Sequence, residues 1–170
     1  MGKSLIEKIL RDCPKVKLLY VLLRGKKNLN AEKRLEELKK DKIFDRIRRE
    51  CPEALNKLHA ISGDSKELGL GIKPQDLELI KDVSIIFHMA ACVRYARILL
   101  QKINKTHQII KPLYFFCRFD DALRNSILLN TRGTYELLKI AETLKSLICF
   151  LHCSTAYSNA LNDVIEEKVK

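Results

Sequence analysis

No apolar run in this 170-residue sequence approaches the roughly 20 residues that a membrane-spanning helix needs. Stretches such as Ile85-Ile86-Phe87 and residues 89–93 are far too short. No secretory signal is apparent either, because Met1-Gly2-Lys3-Ser4 leads into a charged helical pattern. The expectation is a soluble chain without a span. Tryptophan is absent, and the six cysteines (13, 51, 92, 117, 149, 153) include no CxxC pair, which excludes the usual zinc spacing. Cys92, Cys149 and Cys153 lie inside apolar segments, so they are expected to be buried free thiols of a reducing compartment. His152 stands between two of them, but strand alternation sends it to the opposite face, against a metal site.

What is present is globular: 46% apolar and 31% charged residues, in a length suited to one domain. The net charge of +11 invites a nucleic-acid reading. Its distribution argues otherwise. Five of the bases (Arg97, Lys102, Lys105, Lys111, Arg118) fall in residues 95–118, which contain no acid. The densest remaining run, Lys39 to Arg49, is interleaved with Asp41 and Asp45 and flanked by Glu36, Glu37 and Glu50, as on a solvated helix face. No nucleic-acid partner is expected.

Strand and helix patterns alternate along the chain. A continuous apolar run of buried-strand length covers 17–24, a short strand candidate stopped by Gly63-Asp64 covers 58–62, and further strands are expected at 83–90 and 147–153. Helical spacing covers 4–12, 30–40 (with Asn30 as N-cap), 42–50, 74–81 (opened by Pro74) and 120–145. This alternation predicts βαβ units and a parallel sheet, whose ligands bind beyond the carboxyl ends of the strands. Attention therefore falls on Arg24, Asp64, His88, Ser154 and Thr155 at the strand exits. An arginine at the position of Arg24 suits a ribose 2′-phosphate, bound bidentately. Asp64 after Gly63 offers an acceptor to an adenine amino group, or simply makes a turn. Asn130 sits mid-helix, where asparagine is a poor helix former, so a local backbone role is expected. The Ser154 and Thr155 hydroxyls are able to polarise a carbonyl, or to cap a helix.

Taken in order, Val21-Leu-Leu-Arg24, Arg34-Leu-Glu-Glu-Leu38, Ile61-Ser-Gly-Asp64, Gly69-Leu-Gly71, Ile86-Phe-His-Met-Ala-Ala91, Leu129-Asn-Thr-Arg-Gly-Thr134 and His152-Cys-Ser-Thr-Ala-Tyr157 resemble the successive signatures of fatty acyl-CoA reductases, which are extended short-chain dehydrogenases. The resemblance spans everything except 95–118. It implies reduction of a long-chain fatty acyl-CoA to a fatty alcohol with NADPH. It further implies that Arg24 reads the 2′-phosphate and Asp64 the adenine, and that Met89, Ala90, Ala91 and Asn130 line the cofactor. Thr155, flanked by Ser154, would be the catalytic hydroxyl. Family members work inside the cell at peroxisomal or endoplasmic-reticulum membranes, on the cytosolic face. Any membrane attachment is expected from regions outside these 170 residues.

Two family signatures are missing. Of the opening strand and TGxxGxxG turn only Gly2 matches, as the last glycine. The fold class expected is therefore an incomplete Rossmann-type, doubly wound parallel α/β sheet without its first strand, over residues 1–170. That strand is central, between those at 17–24 and 83–90, so its absence leaves a gap or forces the two to pair directly. The Tyr-x-x-x-Lys that should follow the Ser-Thr strand is also missing. Tyr135-x-x-x-Lys139 matches formally but precedes that strand, and Tyr157 is followed four residues later by Leu161. A non-catalytic nucleotide-binding or interaction module on the same sheet is the alternative reading. A basic RNA-binding protein is a third, and it would require steeply salt-dependent binding to generic RNA.

Residues 95–118 read as translated intron. The family pattern runs on when Val93-Arg94 joins Phe119-Asp120-Asp121, and excising the 24 residues, 72 nucleotides, keeps the frame. A lineage-specific loop insertion is the alternative. The genomic sequence is expected to show GT after the second base of codon 94 and AG ending at the second base of codon 118. Absence of either signal defeats the intron.

Overall fold

A computed structural model describes residues 1–25, 29–90, 124 and 127–154. The expected segment 95–118, as well as Ala91 and Thr155, lies outside the described residues.

Helix α1 (Gly2–Asp12) carries Leu5, Ile6, Ile9 and Leu10 at helical spacing and buries Leu10 against the first half of the chain. Strand β1 (Leu19–Leu23) is followed by α2 (Ala31–Lys39), whose first turn is capped as expected. The Asn30 side chain accepts the Lys33 N–H at 2.9 Å. The helix expected at 42–50 is divided. A short 3₁₀ turn (Lys42–Phe44), opened by the Asp41 carboxylate on the Ile43 N–H at 3.1 Å, leads into α3 (Asp45–Glu50). The division drives Phe44 and Ile47 into the core, where neither is exposed at all. Each contributes on the order of 2–3 kcal/mol through apolar burial. With Leu10, Leu35, Ala54 and Leu58 they form the one core cluster found among the described residues.

Strand β2 (Leu58–Ser62) matches the expected span residue for residue. It pairs parallel with β1, from Leu19 opposite Leu58 to Leu23 opposite Ser62. After α4 (Pro74–Leu79) come β3 (Ile85–His88), a π-helical turn (Ile127–Arg132), α5 (Gly133–Thr143) and β4 (Cys149–His152). Strands β3 and β4 are parallel and in register, Ile85 opposite Cys149 and His88 opposite His152.

The parallel strands thus form two separate pairs, β1–β2 and β3–β4, and β1 does not pair with β3. This is the interrupted form of the expected order. One face of the second pair is half-exposed. Ile85, Phe87 and Leu151 are 43–48% exposed there, together with Cys149. This corrects the expected burial of Cys149 and Cys153: both are exposed, because no described element covers that side of β3–β4. Cys92 lies outside the described residues. Among the described residues no helix is long and apolar enough to cross a membrane.

Candidate functional site

The carboxyl ends of β1 and β2 place Arg24 and Asp64 side by side, with Arg24 Nη1 3.9 Å from Asp64 Oδ2. Half of the Arg24 side chain is exposed, which leaves its guanidinium accessible to an anion. Its backbone is held by Arg34, whose Nη1 donates to the Arg24 carbonyl from α2. Asp64 opens a turn: its carboxylate accepts the Lys66 N–H at 3.0 Å, and its own N–H donates to the Leu70 carbonyl at 2.8 Å. Gly63 is required by space. A Cβ there would stand 2.6 Å from the Leu70 oxygen and 2.7 Å from Leu22 Cδ1.

The second pair of strands contributes Met89 and Ala90 after β3 and Ser154 after β4. Cys153 Sγ lies 3.7 Å from Met1 Sδ, which brings the start of α1, and with it Gly2, to the exit of β4. A Cβ on Gly2 would meet nothing within 4 Å, so local packing alone does not demand a glycine there. Ala91 and Thr155 are the expected site residues outside the described set.

Asn130 lies within the π-helical turn, and its carbonyl accepts a 2.7 Å hydrogen bond from Thr134 Oγ1. π-Helical turns occur preferentially at functional sites. Thr134 is also 2.8 Å from His88 Nε2. With the threonine proton on the Asn130 carbonyl, His88 Nε2 is the donor to Thr134 Oγ1, the tautomer that carries no proton on Nδ1. His88 is only 5% exposed and stacks on His152 with ring centroids 5.1 Å apart. Burial first, and then the neighbouring His152, hold the His88 pKa below the ordinary 6.5. The unfolded chain therefore binds more protons than the folded one just below pH 6.5, so stability falls as the pH drops through that range. Urea titrations between pH 7.5 and 5.5 are expected to show this loss, and His88→Gln to flatten it.

The two halves are joined through the loop that follows Asp64. Gly133 begins α5 against Ser65, where a Cβ would come within 2.6 Å of the Ser65 oxygen. Arg132 Nη2 donates to the Lys66 carbonyl. Glu136, 8% exposed, accepts the Gly69 N–H at 2.9 Å, and that hydrogen bond holds its carboxyl below the usual carboxylate range. Neither Glu136 nor the His88–Thr134 contact is evident from strand-exit reasoning. The available signal was Glu136 itself, a charge in the stripe formed by 133, 136, 140 and 141 that otherwise faces inward. Tyr135 and Lys139 do not form a hydroxyl–ammonium pair. Lys139 Nζ lies over the tyrosine ring, 4.4 Å from its centroid, and ion-pairs with Glu136 at 3.5 Å. The basic run of α2 and α3 is largely paired with its own acids, Lys39 with Glu36, Arg46 with Glu50 and Arg48 with Asp45.

The sequence matches the NAD-binding family described as male sterility protein over residues 1–117 and again over 100–170. The chain belongs to this family. It is 37% identical to fatty acyl-CoA reductase 1 of Gallus gallus and 36% identical to that of Homo sapiens, in each case over 170 residues and 99% of the chain. Fatty acyl-CoA reductase 2 of Bos taurus is 34% identical over the same length. The chain spans 28% of the length of these relatives. In fold it is similar to the terminal R domain from the myxalamid PKS-NRPS biosynthetic pathway, with a TM-score of 0.59 at 17% identity, over 91% of this chain and 32% of that one. The two parallel pairs are therefore parts of a Rossmann-type nucleotide-binding domain, and the family implies a nicotinamide cofactor.

Proposed function

We propose that this chain is the cofactor-binding part of an NADPH-dependent fatty acyl-CoA reductase, acting on a long-chain fatty acyl-CoA to give a fatty alcohol. The observation that carries the reading is the placement of a half-exposed Arg24 beside Asp64 at the exits of β1 and β2. A guanidinium there meets a 2′-phosphate, whereas the bare ribose of NADH is normally met by an acid. In this reading Asp64 takes the adenine, Gly2 lies by the pyrophosphate, and Met89, Ala90, Ala91 and Asn130 line the rest. Ser154 and Thr155 polarise the substrate carbonyl. NADPH, when bound, supplies the hydride. The setting we propose is the cytosolic face of a peroxisomal or endoplasmic-reticulum membrane.

The test uses the adenosine halves of the two cofactors as probes. Titrated by NMR, 2′,5′-ADP is expected to bind the chain roughly tenfold more tightly than 5′-AMP, the worth of one charge-assisted phosphate contact. Equal affinities would overturn the assignment of NADPH.

A further inference from the structure

The buried carboxylate of Glu136 has no place in that reading. It nevertheless reaches across 67 positions of sequence to the segment that carries Asp64. The path is short. Glu136 Oε2 accepts the Gly69 N–H at 2.9 Å; Gly69, Leu70 and Gly71 all sit at φ of 56–59°; and the Leu70 carbonyl accepts the Asp64 N–H at 2.8 Å. Leu70 is a non-glycine residue in the left-handed region, a conformation that costs about 1 kcal/mol or more and persists only where its surroundings enforce it. Two groups enforce it: the Leu70 side chain is 1% exposed, and Glu136 holds the amide next to it. The Glu136 side chain is itself only 10% exposed and lies between this turn and Lys139.

We propose that Glu136 is a positioning residue for nucleotide recognition: from α5 it locks the left-handed turn at 69–71, and through the Leu70 carbonyl that turn sets Asp64 beside Arg24. The consequence for nucleotide affinity rests on the function proposed above; the coupling from Glu136 to Asp64 does not.

The experiment compares Glu136→Leu, which keeps the bulk and the helix but cannot accept a hydrogen bond, with Glu136→Gln, which keeps an acceptor oxygen. Two quantities are read on the full 170-residue chain: hydrogen exchange at the Asp64 amide, and 2′,5′-ADP affinity. Glu136→Leu is expected to speed Asp64 exchange and weaken 2′,5′-ADP binding, each by about tenfold, the size of one lost hydrogen bond to a charged group. Glu136→Gln should restore both to within about twofold. Exchange at Cys51, whose amide bonds the Ile47 carbonyl at 2.9 Å and which packs against the core cluster of Phe44 and Ile47, should be unchanged in either variant.

Unchanged Asp64 exchange in Glu136→Leu overturns the proposal. So does a loss of protection that reaches Cys51 as well, since Glu136 would then support the fold as a whole. If the unaltered chain does not prefer 2′,5′-ADP over 5′-AMP, it is the NADPH reading that fails, and the exchange measurement alone decides the role of Glu136.

Discussion

Arg24→Ala is expected to abolish the preference of this chain for 2′,5′-ADP over 5′-AMP, lowering affinity for the former about tenfold and leaving the latter within twofold. The magnitude sits at the lower end for a charge-assisted contact because the Arg24 side chain is half exposed and therefore screened. Asp64→Asn should behave differently. It removes the carboxylate facing Arg24 and alters the acceptor aimed at adenine, so both nucleotides should weaken together. Isothermal titration or chemical-shift titration of the two variants distinguishes the cases. If Arg24→Ala weakens both nucleotides equally, Arg24 supports the loop and does not read the phosphate.

The second large effect is on catalysis. The purified 170-residue chain is expected to show no acyl-CoA-dependent oxidation of NADPH. Within these 170 residues no tyrosine follows Ser154 and Thr155 with a lysine four residues on, and a polypeptide of these residues alone is expected to lack that proton donor to the oxygen formed from the carbonyl. General acid catalysis of that kind is commonly worth 10²–10⁴-fold. Tyr135 and Lys139 do not replace it, because the ammonium sits over the ring face and is paired with Glu136. Tyr135→Phe should accordingly change neither nucleotide binding nor this lack of turnover. Measurable turnover by the chain alone would contradict the account.

Much of the architecture was legible because it depends on local signals. The short strand pattern at 58–62, stopped by Gly63-Asp64, gives β2 with its exact bounds, and Asn30 caps α2 as its side chain and position suggest. The alternation of strand and helix gives parallel pairing, and a strand-exit argument picks out Arg24 and Asp64, which the fold does bring together. What could not be read depends on long-range packing. The break between Phe44 and Asp45 follows from the burial of Phe44 in a core shared with α1 and β2. The exposure of Cys149 and Cys153 reflects a sheet face that no described element covers, whereas an apolar segment by itself suggests burial on both sides. His88 meets Thr134 only because α5 returns across the strand that His88 ends, a separation of 46 positions. Glu136 carries a faint signal, an acid on an inward stripe, but its partner is a backbone amide that no side-chain pattern announces.

In the function proposed above, the strand exits of this chain form one nucleotide face, from Arg24 and Asp64 on one side to Met89 and Ser154 on the other. Amide chemical-shift mapping of the chain with NADPH tests it most directly. The account predicts shifts concentrated at Gly25, Asp64, Ser65, Met89, Ala90 and Ser154, with Leu19, Leu58 and Ile85 at the opposite ends of the same strands unmoved. Shifts confined to the basic helices α2 and α3, and abolished by added salt, would contradict it.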